Sequence, residues 1–525
     1  MKHSARELAE RLAHAAGGAP QPPTDEQVAV IEAPAAPTLV VAGAGSGKTH
    51  TMAQRVLWLV ANELAMPDEI LGLTFTRKAA RELSDRLRVQ LELLDRAGLA
   101  PAEARDRLPL VQTYNSFAGS LFKEWALLIG RDPDSEVLSD PAALLLALRI
   151  ARASDDERLA SIGTATRVAE HVLRLAGELG DHHVSTERLR ASGYASAFSA
   201  KADLPPDPSA KRPLAQKAQQ DFEADIARVG GLEPLAELVD AFDEQKRRRG
   251  VVQFSDQVRF ALDALLAHDG AIAELRDRHR FVLLDEFQDT SVLQLELLGR
   301  IFRERPVMAV GDPNQAIYGF RGASAGTLAL FQDHFGATAK AALSTSWRND
   351  REILRVAGAI AAELPARPEV PVQRLGAREA AGEGEVVVQH LRTVDEEADE
   401  LAGWLRAHGA GADGVTAAVL VRTHGHAIDL SSALAARGLT VSRSGGGGLL
   451  EDPAVVDLVA ALRVLGRPEE GSSLVRLLAG SRWRIGVADL MALQRSAQRL
   501  AGAGLTDEQR RRDRGAIVAE ASSSI

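Results

Sequence analysis

The fold of this chain is decided by the segment Ala42-Gly43-Ala44-Gly45-Ser46-Gly47-Lys48-Thr49. It follows the apolar run Thr38–Val41, which predicts a buried strand, and it leads into a stretch with helical periodicity. In a strand–loop–helix unit of this kind, small residues let backbone N–H groups close around phosphates. We expect Lys48 to reach the β and γ oxygens of a nucleotide and the Thr49 hydroxyl to ligate Mg²⁺.

An acidic strand end lies far downstream, at Asp285-Glu286-Phe287-Gln288-Asp289-Thr290, after the apolar run Phe281–Leu284. The first carboxylate at such a strand end can hold Mg²⁺, and the next can orient a water against a γ-phosphate. We therefore predict that Asp285 is a metal ligand beside Thr49 and that Glu286 is catalytic. Together with the phosphate loop, this run indicates binding and hydrolysis of a nucleoside triphosphate.

The composition restricts the class of protein and its expected location, but it does not identify the substrate. The 525 residues predict roughly three domains. The absence of cysteine excludes disulfides and cysteine-ligated zinc or iron–sulfur sites in this chain. No run approaches the roughly 18 apolar residues of a membrane span, so we expect a cytoplasmic protein without membrane contact. A net charge of −10 argues against general stickiness to nucleic acid but permits a local basic channel.

The pattern along the chain predicts an α/β fold class with parallel strands. The Ala/Pro-rich residues 1–36 are interpreted as a loop or linker, and alternating strand and helix patterns follow from residue 38. Ala, Leu and Arg at helical spacing over 118–250 predict a helical insertion. Further strands are expected at Gly384–Val388 and Ala417–Val421. The basic run Lys246–Arg249 is interpreted as a solvated helix end.

Two more blocks combine chemical groups suited to single-stranded nucleic acid. Leu73–Ala80 closes a strand with hydroxyls, an aromatic ring and cations, so a base could stack on Phe75 while Thr76 and Arg77 contact the backbone. Gly311–Arg321 follows another strand. In this second block, Gln315 is expected on the γ-phosphate side, and the stacking and cationic groups offered to bases are Tyr318, Phe320 and Arg321.

These blocks, in this order, resemble the motifs of the superfamily 1 DNA helicases of the UvrD/PcrA/Rep type and of the RecB-like motors of bacterial helicase–nucleases. The resemblance covers most of residues 23–490. It implies two RecA-like P-loop domains with parallel sheets, each interrupted by a mainly helical insertion. ATP and Mg²⁺ would lie between the domains and single-stranded DNA across the top. It also implies 3′→5′ translocation in repair or recombination, action at duplex/single-strand junctions, and room for a partner helicase–nuclease subunit.

The resemblance assigns further residues to the nucleotide. Pro23–Gln27 resembles the adenine-reading Q motif, so Gln27 would read the adenine edge and Arg55 would flank the base. Ser346-Trp347-Arg348-Asn349 resembles motif IV, in which Arg348 would reach the γ-phosphate across the domain cleft.

Other matches concern DNA and subfamily. Thr113–Ala118 resembles a DNA-contacting motif in which relatives usually carry His at the position of Asn115, and an asparagine can still hydrogen-bond phosphate or sugar. Phe320 stands where many relatives have Trp, which keeps a stacking face. Ser481–Gly486 resembles the opening of the second insertion in actinobacterial AdnA/AdnB-like motors, which places the chain nearest to those.

The resemblance also divides the chain. It implies an N-terminal extension (1–36), RecA-like domain 1 in two parts (37–117 and 251–350) around the helical insertion 1B (118–250), a partial RecA-like domain 2 (351–450) and the start of insertion 2B (451–525). No block like motif V or motif VI of the family follows residue 350, so we expect a C-terminally truncated motor.

Two other functions remain open from the sequence. The chain could be a non-motor ATP-binding subunit that clamps DNA or serves as a scaffold in a helicase–nuclease complex. A small-molecule kinase with a phosphate loop is the third alternative, and it leaves the stacking aromatics and the length unexplained. Stimulation of ATP hydrolysis by DNA would separate the three.

Overall fold

The computed structural model describes residues 2–19, 21–193, 229–317, 326–365, 370, 372–443, 452–466 and 471–502. The chain divides into two compact units, Met1–Val386 and Val387–Ile525.

The first unit is built on a parallel β-sheet. The strands in chain order are β1 (Thr38–Ala42), β2 (Ile70–Thr74), β3 (Leu110–Thr113), β4 (Glu136–Val137), β5 (Val251–Val252), β6 (Phe281–Leu284), β7 (Val307–Gly311), β8 (Ala339–Leu343), β9 (Thr345–Ser346) and β10 (Gly376–Ala377). Six of them form one sheet in the order β3-β2-β6-β7-β1-β8, and every pairing in it is parallel. Strands β1, β2, β6 and β7 are buried along their whole length, as expected for parallel strands covered on both faces. The predicted α/β class with parallel strands is confirmed.

Helices cover the sheet and build the rest of the described chain. In chain order they are α1 (Ala5–Ala15), α2 (Asp25–Ile31), α3 (Lys48–Ala61), α4 (Arg77–Arg96), α5 (Tyr114–Trp125), α6 (Asp140–Arg152), α7 (Ala165–Asp181), α8 (Thr186–Ala191), α9 (Leu232–Arg249), α10 (Phe254–Ala267), α11 (Asp269–Arg278), α12 (Val292–Phe302), α13 (Phe331–Phe335), α14 (Arg351–Ala362), α15 (Val394–Ala407), α16 (His424–Ala436), α17 (Pro453–Gly466), α18 (Gly471–Ala479) and α19 (Val487–Gly502).

Two hydrophobic clusters lie on opposite faces of the sheet. Leu39 and Val41 of β1 belong to one cluster, and Val40 and Ala42 belong to the other. This division follows from the alternation of side chains along a strand. All parallel strands present their carboxyl ends at one edge, so the segments that follow β1, β2, β3, β6, β7 and β8 meet there.

The N-terminal residues are helical, contrary to the interpretation of 1–36 as a loop or linker. Ser4 caps α1 by accepting a hydrogen bond from the backbone of Glu7. Leu8 and Leu12 of α1 are buried in the cluster that contains Trp58, whose indole N–H donates to the carbonyl of His3 at 3.0 Å. The burial of apolar side chains four positions apart stabilises α1 as a helix, although the segment is rich in Ala, Gly and Pro.

The helical insertion has a core of its own. Helices α6, α7 and α9 bury one cluster, which includes Leu146, Val172 and Phe242. Strands β4 and β5 pair where the chain leaves and re-enters the first core. Helix α5 crosses residue 118, the boundary set from the sequence, and Phe122 of α5 is packed in the sheet cluster.

The run Lys246–Arg249 forms the last turn of α9, and its interpretation as a solvated helix end is wrong for Lys246 alone, which is buried. The Lys246 ammonium lies 2.6 Å from a carboxylate oxygen of Asp256 and 2.9 Å from one of Asp243. Arg247 and Arg248 are exposed and pair with Glu244. Only the first residue of the basic run is therefore interior, and it joins the insertion to α10.

The strands predicted at Gly384–Val388 and Ala417–Val421 are wrong for the structure as described. Neither segment is paired in a ladder, and Val388 and Leu420 are 87% and 93% exposed. An apolar run becomes a strand only when another strand satisfies its backbone groups, and the described residues around these runs provide none. The second unit instead buries a cluster between α15 and α16, which includes Ala402 and Leu430.

Across the described residues, no helix has the length and apolar character needed to cross a membrane.

Candidate active site

The phosphate loop joins the end of β1 to the start of α3. Gly45 and Gly47 have φ of +74° and +84°, a left-handed conformation that favours glycine. The Ser46 hydroxyl donates to the carbonyl of Gly43 at 2.8 Å, which closes the loop on itself. The loop therefore leads directly into the N-terminus of α3, where free backbone N–H groups and the helix dipole favour an anion.

The loop lies against the acidic segment that follows β6. Lys48 Nζ is 3.0 Å from Glu286 Oε2. Asp285 is buried, and its backbone N–H donates to the carbonyl of Leu73 in β2 at 2.8 Å. The structure thus brings together Lys48, Asp285 and Glu286, although Lys48 and Glu286 are 238 residues apart in sequence.

The pKa of the Asp285 carboxyl is shifted by its burial and by the charged groups around it. Burial raises the pKa of the Asp285 carboxyl to about 6, and the charge of Glu286 adds to the shift. Lys48 and a hydrogen bond from Thr49 oppose it. A buried carboxylate beside a threonine hydroxyl is a set of hard oxygen donors, which fits Mg²⁺. Among the described residues, no group of three or more His, Cys, Asp or Glu could hold a metal ion.

Glu286 is held in an unusual backbone conformation. Its φ of 48° is left-handed, which is uncommon for a residue with a Cβ. The hydroxyl of Tyr114, the first residue of α5, donates to the carbonyl of Asp285 at 2.9 Å. Burial and the nearby carboxylates, Asp285 first, raise the pKa of Tyr114, so the phenol stays protonated as the donor. Tyr114 therefore supports the peptide that carries Glu286.

Gln288 connects Glu286 to the loop after β7, a role that the sequence reasoning missed. Gln288 Nε2 donates to Glu286 Oε2 at 2.8 Å, and Gln288 Oε1 accepts from the backbone N–H of Asp312 at 3.0 Å. Gln315 Nε2 in turn donates to Asp312 Oδ2 at 2.7 Å. The only sequence signal was the position of Gln288 inside the run Asp285–Thr290. Gln315 lies at this edge but bonds Asp312.

The segment after β8 crosses the phosphate loop. The backbone N–H of Trp347 donates to the carbonyl of Gly45 at 2.8 Å. A Cβ at Gly45 would lie 2.7 Å from the Cβ of Arg348, so the two backbones approach closely. Arg348 thus lies beside the loop within the same compact unit, whereas the resemblance implied a reach across a cleft.

Gln27, predicted to read adenine, and Trp347 both lie beside Gly47 of the phosphate loop. Gln27 Oε1 accepts from the backbone N–H of Thr24 in a capping box at the start of α2. A Cβ at Gly47 would lie 3.4 Å from Gln27 Nε2 and 3.7 Å from Trp347 Cδ1. Trp347 is 46% exposed, so an indole face stands near the loop. Its aromatic identity inside the motif IV match was the available signal.

The structure gives Arg55 another role than flanking the base. It is 2% exposed, and its guanidinium donates to the carbonyls of Val30 and Ile31, which end α2, and of Ala33 and Pro34, which follow it. Burial lowers its pKa to about 10. Four backbone acceptors leave this cation committed to the segment that holds Gln27, and not to a nucleotide base.

The residues predicted to contact DNA lie at the same edge where they are described. Thr76 caps α4 by accepting from the backbone of Ala79, Phe75 is half-buried and Arg77 is exposed. Asn115 is exposed in the first turn of α5, and its Oδ1 accepts from Gln294 Nε2 at 2.8 Å. The predicted residues Tyr318, Phe320 and Arg321 lie outside the described residues.

Comparison with known proteins identifies the family of this chain. Residues 23–336 match the UvrD/REP helicase N-terminal domain, and residues 341–511 match the UvrD-like helicase C-terminal domain.

Three relatives that match this chain are named as ATP-dependent DNA helicases. The chain is 29% identical to the ATP-dependent DNA helicase UvrD1 of Mycobacterium tuberculosis, over 88% of this chain and 55% of the relative. It is 24% identical to the ATP-dependent DNA helicase PcrA of Leuconostoc citreum, over 91% and 57%. With the ATP-dependent DNA helicase Rep of Salmonella typhimurium it shares 26% identity over 88% and 61%. The chain thus spans less than two thirds of the length of these relatives.

Proposed function

This chain belongs to the UvrD/REP helicase family, and we propose that it hydrolyses ATP to drive 3′→5′ movement along single-stranded DNA. The proposal includes action at duplex/single-strand junctions in repair or recombination, in the cytoplasm. It rests above all on one observation, the contact of Lys48 with Glu286 at the edge where the phosphate loop and the acidic segment meet.

Each residue at this edge takes a role in hydrolysis. Lys48 neutralises the β and γ oxygens, and the buried Asp285 with Thr49 would hold Mg²⁺, which would supply charge neutralisation at the phosphates. One oxygen of Glu286 is held by Lys48 and Gln288. Its other oxygen is left to accept the proton of the attacking water. Arg348, which stands beside the loop, stabilises charge on the transferred phosphoryl group.

The base of the nucleotide is recognised by two side chains. Gln27 offers its amide to the adenine edge, and the exposed indole of Trp347 offers a stacking face. Replacing Trp347 with Ala should therefore raise the KM for ATP, whereas Trp347→Phe should keep most of the affinity. Equal KM values for the three proteins, measured in steady-state hydrolysis, would remove Trp347 from the site.

The DNA lies across the exposed side chains that follow β2 and β3, with Phe75 stacking on a base and Thr76, Arg77 and Asn115 contacting the backbone. Tyr318, Phe320 and Arg321, which lie outside the described residues, are proposed to contribute to DNA binding. A partner helicase–nuclease subunit and a closer relation to AdnA/AdnB-like motors stay part of the proposal, the latter on the similarity of Ser481–Gly486 alone.

The test is DNA-stimulated ATP hydrolysis by the full chain. Lys48→Ala should abolish hydrolysis, and Glu286→Gln should keep ATP binding but lose turnover, because an amide cannot accept the proton. Lys2→Ala, which removes an exposed lysine paired with Glu63, is the matched control and should behave as wild type. Turnover by Glu286→Gln equal to wild type would refute the assignment. ATP and DNA binding with negligible wild-type turnover would favour the alternative, a non-motor clamp or scaffold.

A further inference from the structure

Asn115 and Gln294 form a hydrogen-bonded pair between α5 and α12. Helix α12 follows the acidic segment Asp285–Thr290, which is called the catalytic segment below because of the role proposed for Glu286. Asn115 is exposed in the first turn of α5, and Gln294 is 9% exposed in the first turn of α12. Gln294 Nε2 lies 2.8 Å from Asn115 Oδ1. The pair is 179 residues apart in sequence and joins helices that start after β3 and after the acidic segment.

The orientation of both amides is fixed by a backbone group. The N–H of Ser291 lies 3.0 Å from Gln294 and can only donate, so Gln294 must present its oxygen there. The Ser291 hydroxyl accepts in turn from the backbone N–H of Gln294, which completes a capping box. The NH₂ group of Gln294 therefore faces Asn115, and Asn115 must present its oxygen to Gln294.

This chain of donors and acceptors leaves one group of Asn115 facing outward. Its Nδ2 has no hydrogen-bond partner in the part of the chain that the structure describes, and the residue is exposed. A phosphodiester carries acceptor oxygens only, so it can be bound by the NH₂ group but is repelled by the carbonyl of an amide.

We propose that Gln294 is a positioning residue that holds the Asn115 amide with its NH₂ group toward single-stranded DNA, so that Asn115 donates to a phosphodiester oxygen. The inference rests on the proposed function, because it names a contact within the proposed DNA surface. Gln294 acts without touching DNA: it decides which end of the Asn115 amide the strand meets.

Gln294→Glu is the decisive variant because it reverses the Asn115 amide without removing the capping box. One oxygen of the introduced carboxylate still accepts from Ser291, and glutamate is a common residue at this position of a capping box. The other oxygen can only accept, so Asn115 must turn its NH₂ group inward and present its carbonyl to the DNA. We expect affinity for a fluorescent single-stranded oligonucleotide to fall about tenfold or more, as for a lost hydrogen bond to a charged group. Gln294→Ala removes the capping-box hydrogen bond from Ser291 and frees the Asn115 amide to rotate without reversing it, so it should lower the DNA affinity less.

A double-mutant cycle separates the effect of the new negative charge on DNA affinity from the effect of the amide reversal. Asn115→Ala removes the donor and should by itself weaken binding. In that background Gln294→Glu adds its charge but has no amide to turn, so its further effect should be small.

A histidine at position 115 should suppress the defect. When one ring nitrogen of an imidazole donates to the carboxylate introduced by Gln294→Glu, protonation of the ring leaves the other N–H pointing outward as a donor. Asn115→His with Gln294→Glu should therefore bind the oligonucleotide nearly as tightly as Asn115→His alone. Thermal unfolding of each variant, unchanged from wild type, confirms that affinity is compared between folded proteins.

Each outcome bears on the inference. Wild-type affinity in Gln294→Glu overturns it while leaving the proposed function intact, and so does an equal loss from Gln294→Glu in the Asn115→Ala background. Failure of the wild-type chain to bind single-stranded DNA would overturn the proposed function and the inference with it.

Discussion

Gln288 offers the sharpest test of how the catalytic segment is held. In Gln288→Glu, the new carboxylate can still accept from the backbone N–H of Asp312, so the loop after β7 keeps its buried hydrogen bond. The amide that now donates to Glu286 at 2.8 Å is replaced by an oxygen, which sets two carboxylates against each other. The fold should survive, and the damage should concentrate on Glu286.

The magnitude follows from the contact that is lost. A hydrogen bond to a charged group contributes about 1.5–3 kcal/mol, so kcat should fall about ten- to a hundredfold. The KM for ATP should change little, because Gln288 faces the catalytic glutamate and not the phosphate loop. Since two adjacent carboxylates favour protonation, the acid limb of the pH profile of kcat should also move to higher pH.

The assay is steady-state ATP hydrolysis at saturating single-stranded DNA between about pH 5 and pH 9. Gln332→Glu makes the same chemical change on the exposed face of α13 and should leave kcat and the pH profile as in wild type. If Gln288→Glu kept both the wild-type kcat and the wild-type acid limb, Gln288 would be a packing residue and the reasoning would fail.

Three other predictions follow from the geometry of the edge. Gly45→Ala should destabilise the protein and weaken ATP binding more than Gly98→Ala, because both sites have positive φ but only Gly45 approaches the Cβ of Arg348, at 2.7 Å; equal urea midpoints for the two variants would contradict this. Affinity for Mg²⁺·ATP should decline as the pH falls through about 6, because the raised pKa of Asp285 lets protons compete with the metal, and titration calorimetry at pH 5 and pH 8 measures the difference. Tyr114→Phe should lower kcat severalfold and cost about 0.5–1.5 kcal/mol of unfolding free energy, since only the hydroxyl that supports the Asp285 carbonyl is lost; unchanged values of both would show that the left-handed Glu286 needs no such support.

The central part of the site was predictable because it depends on topology. A parallel sheet places the carboxyl ends of all its strands at one edge, so the phosphate loop after β1 and Asp285 after β6 were expected at the same edge. The chemistry of Lys48 and Glu286 then follows from residue type. This argument needs only strand assignments, and long apolar strands such as Val307–Gly311 are a strong signal.

Long polar side chains were the part that sequence could not place. Arg55 and Lys246 each had a plausible surface or ligand role, yet both are interior. Arg55 satisfies carbonyls about 20 residues earlier, and Lys246 meets Asp256 from the next helix. The direction of a long cationic side chain depends on which hydrogen-bond acceptors the tertiary fold leaves unpaired. A linear sequence pattern does not show these acceptors.

Strand prediction in the second unit failed for a related reason. The runs Gly384–Val388 and Ala417–Val421 contain residues that favour strands, but a strand is stabilised only when another strand pairs with it. The N-terminal helix shows the opposite case, because Ser4 and Glu7 form a helix-starting pattern that the surrounding Ala and Pro concealed.

Adjacent residues of α5 hold both ends of the catalytic segment. Tyr114 donates to the carbonyl of Asp285, where the segment begins, and Asn115 accepts from Gln294, in the first turn of the helix that follows it. Within that span, Gln288 ties Glu286 to the loop after β7. Because Asn115 also faces solvent where DNA is proposed to lie, we expect a displacement of its amide by DNA to reach Gln294 in the first turn of α12, which follows the segment proposed to carry out hydrolysis. We propose that this hydrogen-bonded frame links DNA binding to hydrolysis, with Tyr114 and Asn115 acting on the segment from its two ends.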